Sequence, residues 1–366
     1  MIYIKSATQI SVQKPLSEAW MTEPFVPEGA YVRSQDPTFR QWINPMESRR
    51  LGRLLKRAIV TATEAMSALG SLGDGGNAAV PDAIITGTGL GCIENTELLL
   101  DQMCREGDGT LKPTNFMQST HNTIGSLIAI NTHCHGYNST YSHKAVSFDS
   151  ALLDAFMQLR LGDISTALVT GNDEMTPTYF TILQRVGYLG QPGQCPAAEA
   201  SVAMLLSTDA DGALCELSDV QLAYSATPPQ GLCPPDNPHV DAILIGTNGN
   251  ESNDRFYSDL IPCLPAAPLL HYKHLFGECY SSSALGLYAA AHILAKGEAP
   301  AHLRCDGLDQ PLPVSRLYSS SSSTKAMAPA SATSPFVNRK SVRKIVNRKI
   351  VNRKFVNRKF VNRKSR

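Results

Sequence analysis

The sequence predicts an α/β fold on two observations. Amphipathic helices close on glycine and are followed within a few residues by short, wholly apolar strands, and this order recurs along the chain. The clearest instance lies between residues 113 and 174. A short polar extended piece leads into a helix starting near Val146, a Gly162-Asp163 stop and an apolar strand from Thr166 to Thr170. Ala151, Leu152, Ala155, Phe156 and Leu159 recur at intervals of three and four and share one face, whereas Asp154, Gln158 and Arg160 point elsewhere. Ser147 and Ser150 are available as caps, and Gly162 ends the helix where positive φ is tolerated.

The earlier elements follow the same rules. Residues 2–12 read as a strand, followed by a loop bearing Pro and Glu through Glu28 to Pro45. From Arg49 to Gly70, Leu51, Leu54, Leu55, Ala58, Ile59, Ala62 and Ala65 form the stripe of a second amphipathic helix. A Gly-rich turn, 73–77, precedes the buried strand that starts at Ala83 and the loop Gly87–Gly91, which opens the helix ENTELLLDQM. That loop reads GxGxG and not GxGxxG, and no strand ending in an acid follows, which argues against a dinucleotide site. His133, Cys134 and His135 invite a metal, but no second ligand cluster at zinc-like spacing follows. Past Thr208 the same strand-and-helix vocabulary restarts, consistent with an internal duplication.

With 366 residues, 43% of them hydrophobic, the chain can bury one large core or two fused ones. Its net charge of +1 averages two unlike parts: thirteen Lys and Arg and no acid follow Val337, which leaves 20 basic against 32 acidic residues in 1–336, a balance of −12. The nine cysteines include no CxxC pair and are odd in number, which fits reduced thiols in a cytoplasmic compartment better than a disulfide framework. No run approaches 18 apolar residues and the start lacks a secretory pattern, so a cytoplasmic protein without a transmembrane segment is expected.

FMQSTHNT, the polar strand, the turn, the helix, Gly-Asp and ALVTGNDE together resemble the N-terminal half of the β-ketoacyl synthases, thiolase-fold enzymes that condense acyl thioesters. The resemblance implies a thiolase-like α/β fold: two related βαβαβαββ-type halves, 1–207 and 208–318, in an α-β-α-β-α layering, with the C-terminal half cut short. In the family a nucleophilic cysteine sits at the turn before the helix, where the helix N-terminus favours a thiolate and an oxyanion. Family spacing from Gly162-Asp163 places that position on Ala145; the neighbours are Lys144 and Val146, and no cysteine lies between Cys134 and Cys195.

Two family histidines, which donate to the malonyl thioester carbonyl as an enolate develops, should come from the second half. After DAILI the first falls on Gly246; in KHLFGECYSSSALGLYAAAHIL the second falls on Glu278, while Lys273 and Gly277 match the family motif. Ser147 and His274 are the residual candidates for chemistry, His121 matches a family motif as a structural hydrogen-bonder, and Glu199 matches a supporting glutamate. No bound cofactor is implied; substrate thioesters would ride on the phosphopantetheine of an acyl carrier protein.

With all three catalytic positions replaced, the resemblance is to chain-length factors, which pair with an active ketosynthase, and the wording HGYNSTYSH…SFDSALLDA is similar to ketosynthase-like proteins of aryl polyene or flexirubin-type pathways. The implied partners are an active ketosynthase in a heterodimer, or a second copy in a homodimer, and acyl carrier protein. The strand around 138–143 would lie at the subunit contact. A residual malonyl decarboxylase or acyltransferase, and a non-functional truncated product, are the alternatives.

Beyond Pro313 the resemblance stops. A Ser-rich stretch leads to VNRK at Val337, Val346, Val351, Val356 and Val361. A period of five matches neither helix nor strand, so 319–366 is expected to be a disordered basic tail, open either to acidic partners by charge alone or to an origin in a shifted reading frame. No nucleic-acid partner is expected.

Overall fold

The ten strands of the main sheet alternate with seven principal helices, and the computed structural model that shows them describes residues 1–72, 77–107, 109, 111–223, 240–320 and 344–350. The strands are β1 (Ile2–Ile10), β2 (Ala83–Gly87), β3 (Tyr137–Tyr141), β4 (Thr166–Asp173), β5 (Ala200–Ser207), β6 (Cys215–Ala223), β7 (Ala242–Ile245), β8 (Leu269–His271), β9 (Arg316–Ser320) and β10 (Lys344–Ile350). The helices are α1 (Arg53–Met66), α2 (Ile93–Glu106), α3 (Thr123–Thr132), α4 (Ser147–Leu161), α5 (Pro177–Arg185), α6 (Glu251–Leu260) and α7 (Ser282–Lys296).

One sheet runs β8-β7-β9-β10-β6-β1-β5-β4-β2-β3. Outward from the central β1/β6 pair, the first half reads 1-5-4-2-3 and the second 6-10-9-7-8, the same order shifted by five strands. The sheet curls around α4 and α7. Helix α4 touches β2, β3 and β4 of its own half and β6 of the other, and α7 touches β1 and β5 as well as β9. Alternation along each strand separates the layers. Ile85, Ala167, Val169, Ala242 and Leu244 face the central core with Phe148 and Leu285. Ile84 and Leu168 face α1, and Ile243 and Ile245 face α6. The α-β-α-β-α layering expected from the sequence follows.

Strand β1 ends at Ile10 and helix α1 at Met66, a few residues short of the sequence reading, and three further differences have a clear cause. Helix α1 begins at Arg53, not Arg49, because Gly52 is extended and its N–H is taken by Gln118 Oε1 at 3.1 Å. Strand β4 runs on to Asp173, since Gly171, Asn172 and Asp173 continue the antiparallel pairing with β5. The third difference is in the tail: Lys344–Ile350 forms β10 inside the sheet, where a structureless segment was expected. Ladder hydrogen bonds are made by the backbone N–H and C=O that every residue except proline carries in full, so an aperiodic side-chain pattern does not bar a strand where two edges lie open. The remainder of 321–366, most of the Gly-rich turn at 73–77 and Cys233 lie outside the described residues. Among the described residues no helix is long and apolar enough to cross a membrane.

Candidate active site

The N-termini of α4 and α7 meet between the two halves of the sheet, where Ser283 Oγ donates to Asp149 Oδ2 at 2.8 Å. Strand β2 runs so close to the start of α4 that a Cβ on Gly87 would sit 2.4 Å from the Phe148 backbone. The turn before α4 is sharp: Lys144 has φ of 54°, a left-handed conformation unfavourable for a long side chain. Ala145 follows it and is buried. Ser147 is fully buried; its Oγ donates to Lys144 O and accepts the His143 N–H at 2.8 Å. The hydroxyl closes the turn that presents Ala145.

The two expected histidine positions are filled differently. A Cβ on Gly246 would meet Tyr257 Oη at 2.9 Å, Tyr272 Oη at 3.0 Å and Lys273 Cε at 3.1 Å, so a side chain there would force these groups to shift. Glu278 takes the other position and binds Lys273, Nζ to Oε2, at 2.6 Å with both side chains buried. Asn248 Nδ2 donates to the same oxygen at 2.7 Å, and Ser282 Oγ donates to Oε1 at 2.8 Å. Burial opposes the Lys273 charge, but the carboxylate of Glu278 and the Tyr272 and Tyr257 hydroxyls outweigh it and raise its pKa. The Glu278 carboxylate is thus paired with the lysine that matches the family motif.

Ser281, Ser282 and Ser283, at the start of α7, donate to three different buried carboxylates, those of Asp173, Glu278 and Asp149. Asp173 also accepts the N–H groups of Gly89 at 2.9 Å and Leu90 at 2.8 Å and the Thr88 hydroxyl at 3.2 Å. The Gly87–Gly91 loop therefore turns its amides on a carboxylate of its own chain, where a nucleotide loop would hold phosphate.

Burial raises Asp173 to about 6 against these donors, and burial raises the adjacent Glu174 to about 7. Both acids bind protons more readily folded than unfolded, where they titrate at about 4. Their stabilising effect is complete below that value and is lost as pH rises through about 6 and 7. The thermal midpoint is expected to fall between about pH 4 and about pH 7, and Glu174→Gln to flatten the upper part of that decline. A midpoint that rises over the interval contradicts the assignment.

Of the residual candidates, His274 is exposed, and its Nε2 faces His302 O at 3.2 Å, away from the Lys273–Glu278 pair. His121 is exposed and its ring lies 3.3 Å from where a Gly91 Cβ would be. His133 and His135 are exposed while Cys134 turns inward, where its thiol meets Pro81 O; among the described residues no group of three metal-ligating side chains forms. Glu199 supports structure: it accepts from Arg57 Nη2 at 3.0 Å and from Ser34 N at 3.1 Å, and Asp36 holds the same arginine at 2.6 Å.

Sequence reasoning missed Asp149, Asp173, Asn248 and the serine triplet. The signal available was the run SSS directly ahead of an apolar helix. Cys195 was noted only as a boundary, yet it lies on the loop whose backbone bonds Asn248 O at 2.8 Å. Burial and the carboxylate of Glu278 push its thiol up to about 12, so at neutral pH it is no thiolate.

The profile of the family described as beta-ketoacyl synthase, N-terminal domain, matches residues 18–244, more than half of the chain. This chain belongs to the β-ketoacyl synthase family. Solved members share its fold at low identity. The structure titled "The ishigamide ketosynthase/chain length factor" is 17% identical, with a TM-score of 0.69 over 82% of this chain and 87% of that one. A type II PKS acyl-carrier protein in complex with its ketosynthase bound to the hexaketide gives 14% and 0.64 over 81% and 91%. A beta-ketoacyl synthase from Burkholderia phymatum STM815 gives 13% and 0.61 over 82% and 87%. Among curated proteins none matches the chain in sequence.

Proposed function

We propose that this chain is a β-ketoacyl synthase-like subunit that does not condense acyl groups itself. It works beside an active ketosynthase, as a chain-length factor does, on polyene or fatty-acyl chains carried by an acyl carrier protein. One observation carries the reading: the lysine of the family motif is consumed by the carboxylate standing where the second histidine is expected, and a side chain at the first histidine's position would force its neighbours to shift. Decarboxylation of a malonyl thioester builds negative charge at the carbonyl, which needs donors aimed at it. Here the nearby donors already serve Asp149, Asp173 and Glu278.

Among the described residues β3 pairs on one side only, with β2, and this open edge supports a subunit contact there. Helix α3, which packs against β3, leaves Ile130 exposed. An acyl carrier protein, being acidic, would find exposed Arg49 and Arg50 ahead of α1, a basic cluster on a body that is otherwise acidic.

Co-expression with a cysteine-bearing ketosynthase and its carrier tests the reading. The expected result is a mixed complex whose product depends on the partner's cysteine. A homomer that turns over unaided contradicts it. Reversing Arg49 and Arg50 to Glu is expected to weaken carrier binding at least about tenfold at low salt, with the difference shrinking as salt rises; titration with labelled carrier reads it.

A further inference from the structure

We infer that β10 is a surrogate strand with interchangeable registers, drawn from the tandem repeat to fill a slot left in the second half of the sheet. The slot follows from the duplicated strand order. In the first half, β5 lies between β1 and β4 and runs antiparallel to both. Its counterpart in the second half must lie between β6 and β9, and β10 occupies that place. Yet β10 runs parallel to both neighbours, opposite to the direction the duplication requires. Its position is therefore that of β5, while its direction belongs to a segment of different origin.

Backbone pairing is indifferent to which copy of a repeat supplies it. Residues 349–355 read KIVNRKF against KIVNRKI for 344–350, six of the seven residues being identical, and 354–360 read KFVNRKF. Sliding by five residues places the same residue type at nearly every slot position, because the repeat period equals the shift. The slide lengthens the connection from β9, which now spans 321–343, by five residues. Loop closure depends only logarithmically on length, so this separates the registers by less than about a factor of two. A unique register is normally set by a pattern that one slip would violate; the repeat removes that penalty for slips of five.

The test uses proline, which cannot donate to a ladder, in the full chain. Asn347→Pro is expected to leave the thermal midpoint within about 2 °C of the parent, and to move the slowly exchanging amides from 344–350 to 349–355 in hydrogen-exchange mass spectrometry. Proline at Asn347, Asn352, Asn357 and Asn362 together is expected to match truncation after Ser320, with a lower midpoint or loss of soluble protein. Three results would overturn the inference: Asn347→Pro alone as damaging as the fourfold change, a fourfold variant as stable as the parent, or rapid exchange throughout 344–366 in the parent.

Discussion

Lys273→Met is expected to destabilise the protein by about 3–5 kcal/mol, because it strands the Glu278 carboxylate in the core with only Asn248 and Ser282 as donors. The double variant Lys273→Met, Glu278→Gln is expected to recover most of that loss, since no unpaired charge stays buried. Denaturant unfolding of the two single variants and the double measures the coupling. The pairing with Glu278 assigns Lys273 to the fold. A Lys273→Met protein as stable as the parent would remove that assignment.

Restoring the expected catalytic residues by Ala145→Cys, Gly246→His and Glu278→His is expected to give an unfolded or insoluble protein and no condensation. At Gly246 even a Cβ sits within 3.1 Å of three side-chain atoms; overpacking of this kind costs about 1–3 kcal/mol, and an imidazole is far larger than a methyl group. Glu278→His also leaves the Lys273 ammonium buried without its carboxylate. Ala145→Cys alone adds one sulfur at a turn whose backbone is intact and should fold. Solubility and thermal midpoint of the single and triple variants check the order. A soluble triple variant that condenses malonyl and acyl thioesters would show that the pocket lost only its reactive groups.

Much of this was legible from residues. Apart from Leu51, which lies ahead of α1 and is half-buried, the apolar stripes of α1 and α4 name side chains that are buried in the structure, and Gly162 ends α4 in the left-handed conformation. The position of Ala145 at the head of α4 came from spacing and family likeness. What stayed hidden was the pairing of polar groups from distant parts of the chain. Asp173 and Ser281 are 108 residues apart, and Asp149 and Ser283 are 134 apart. No local pattern reports such partners, because their satisfaction depends on two helix N-termini meeting in space. Lys273 and Glu278 are only five residues apart, yet their pairing was not foreseen, since Gly277 turns the chain between them with φ of 74°. The order of β10 in the sheet was equally hidden, because strand choice there rests on backbone hydrogen bonding and not on side-chain period.

The most direct measurement is of the purified chain alone with malonyl-loaded acyl carrier protein, following released carbon dioxide and the intact mass of the protein. The account predicts carbon dioxide at the level of the carrier without the chain, and no acyl adduct. Turnover well above that level, abolished by Lys273→Ala in a protein that remains folded, would contradict it.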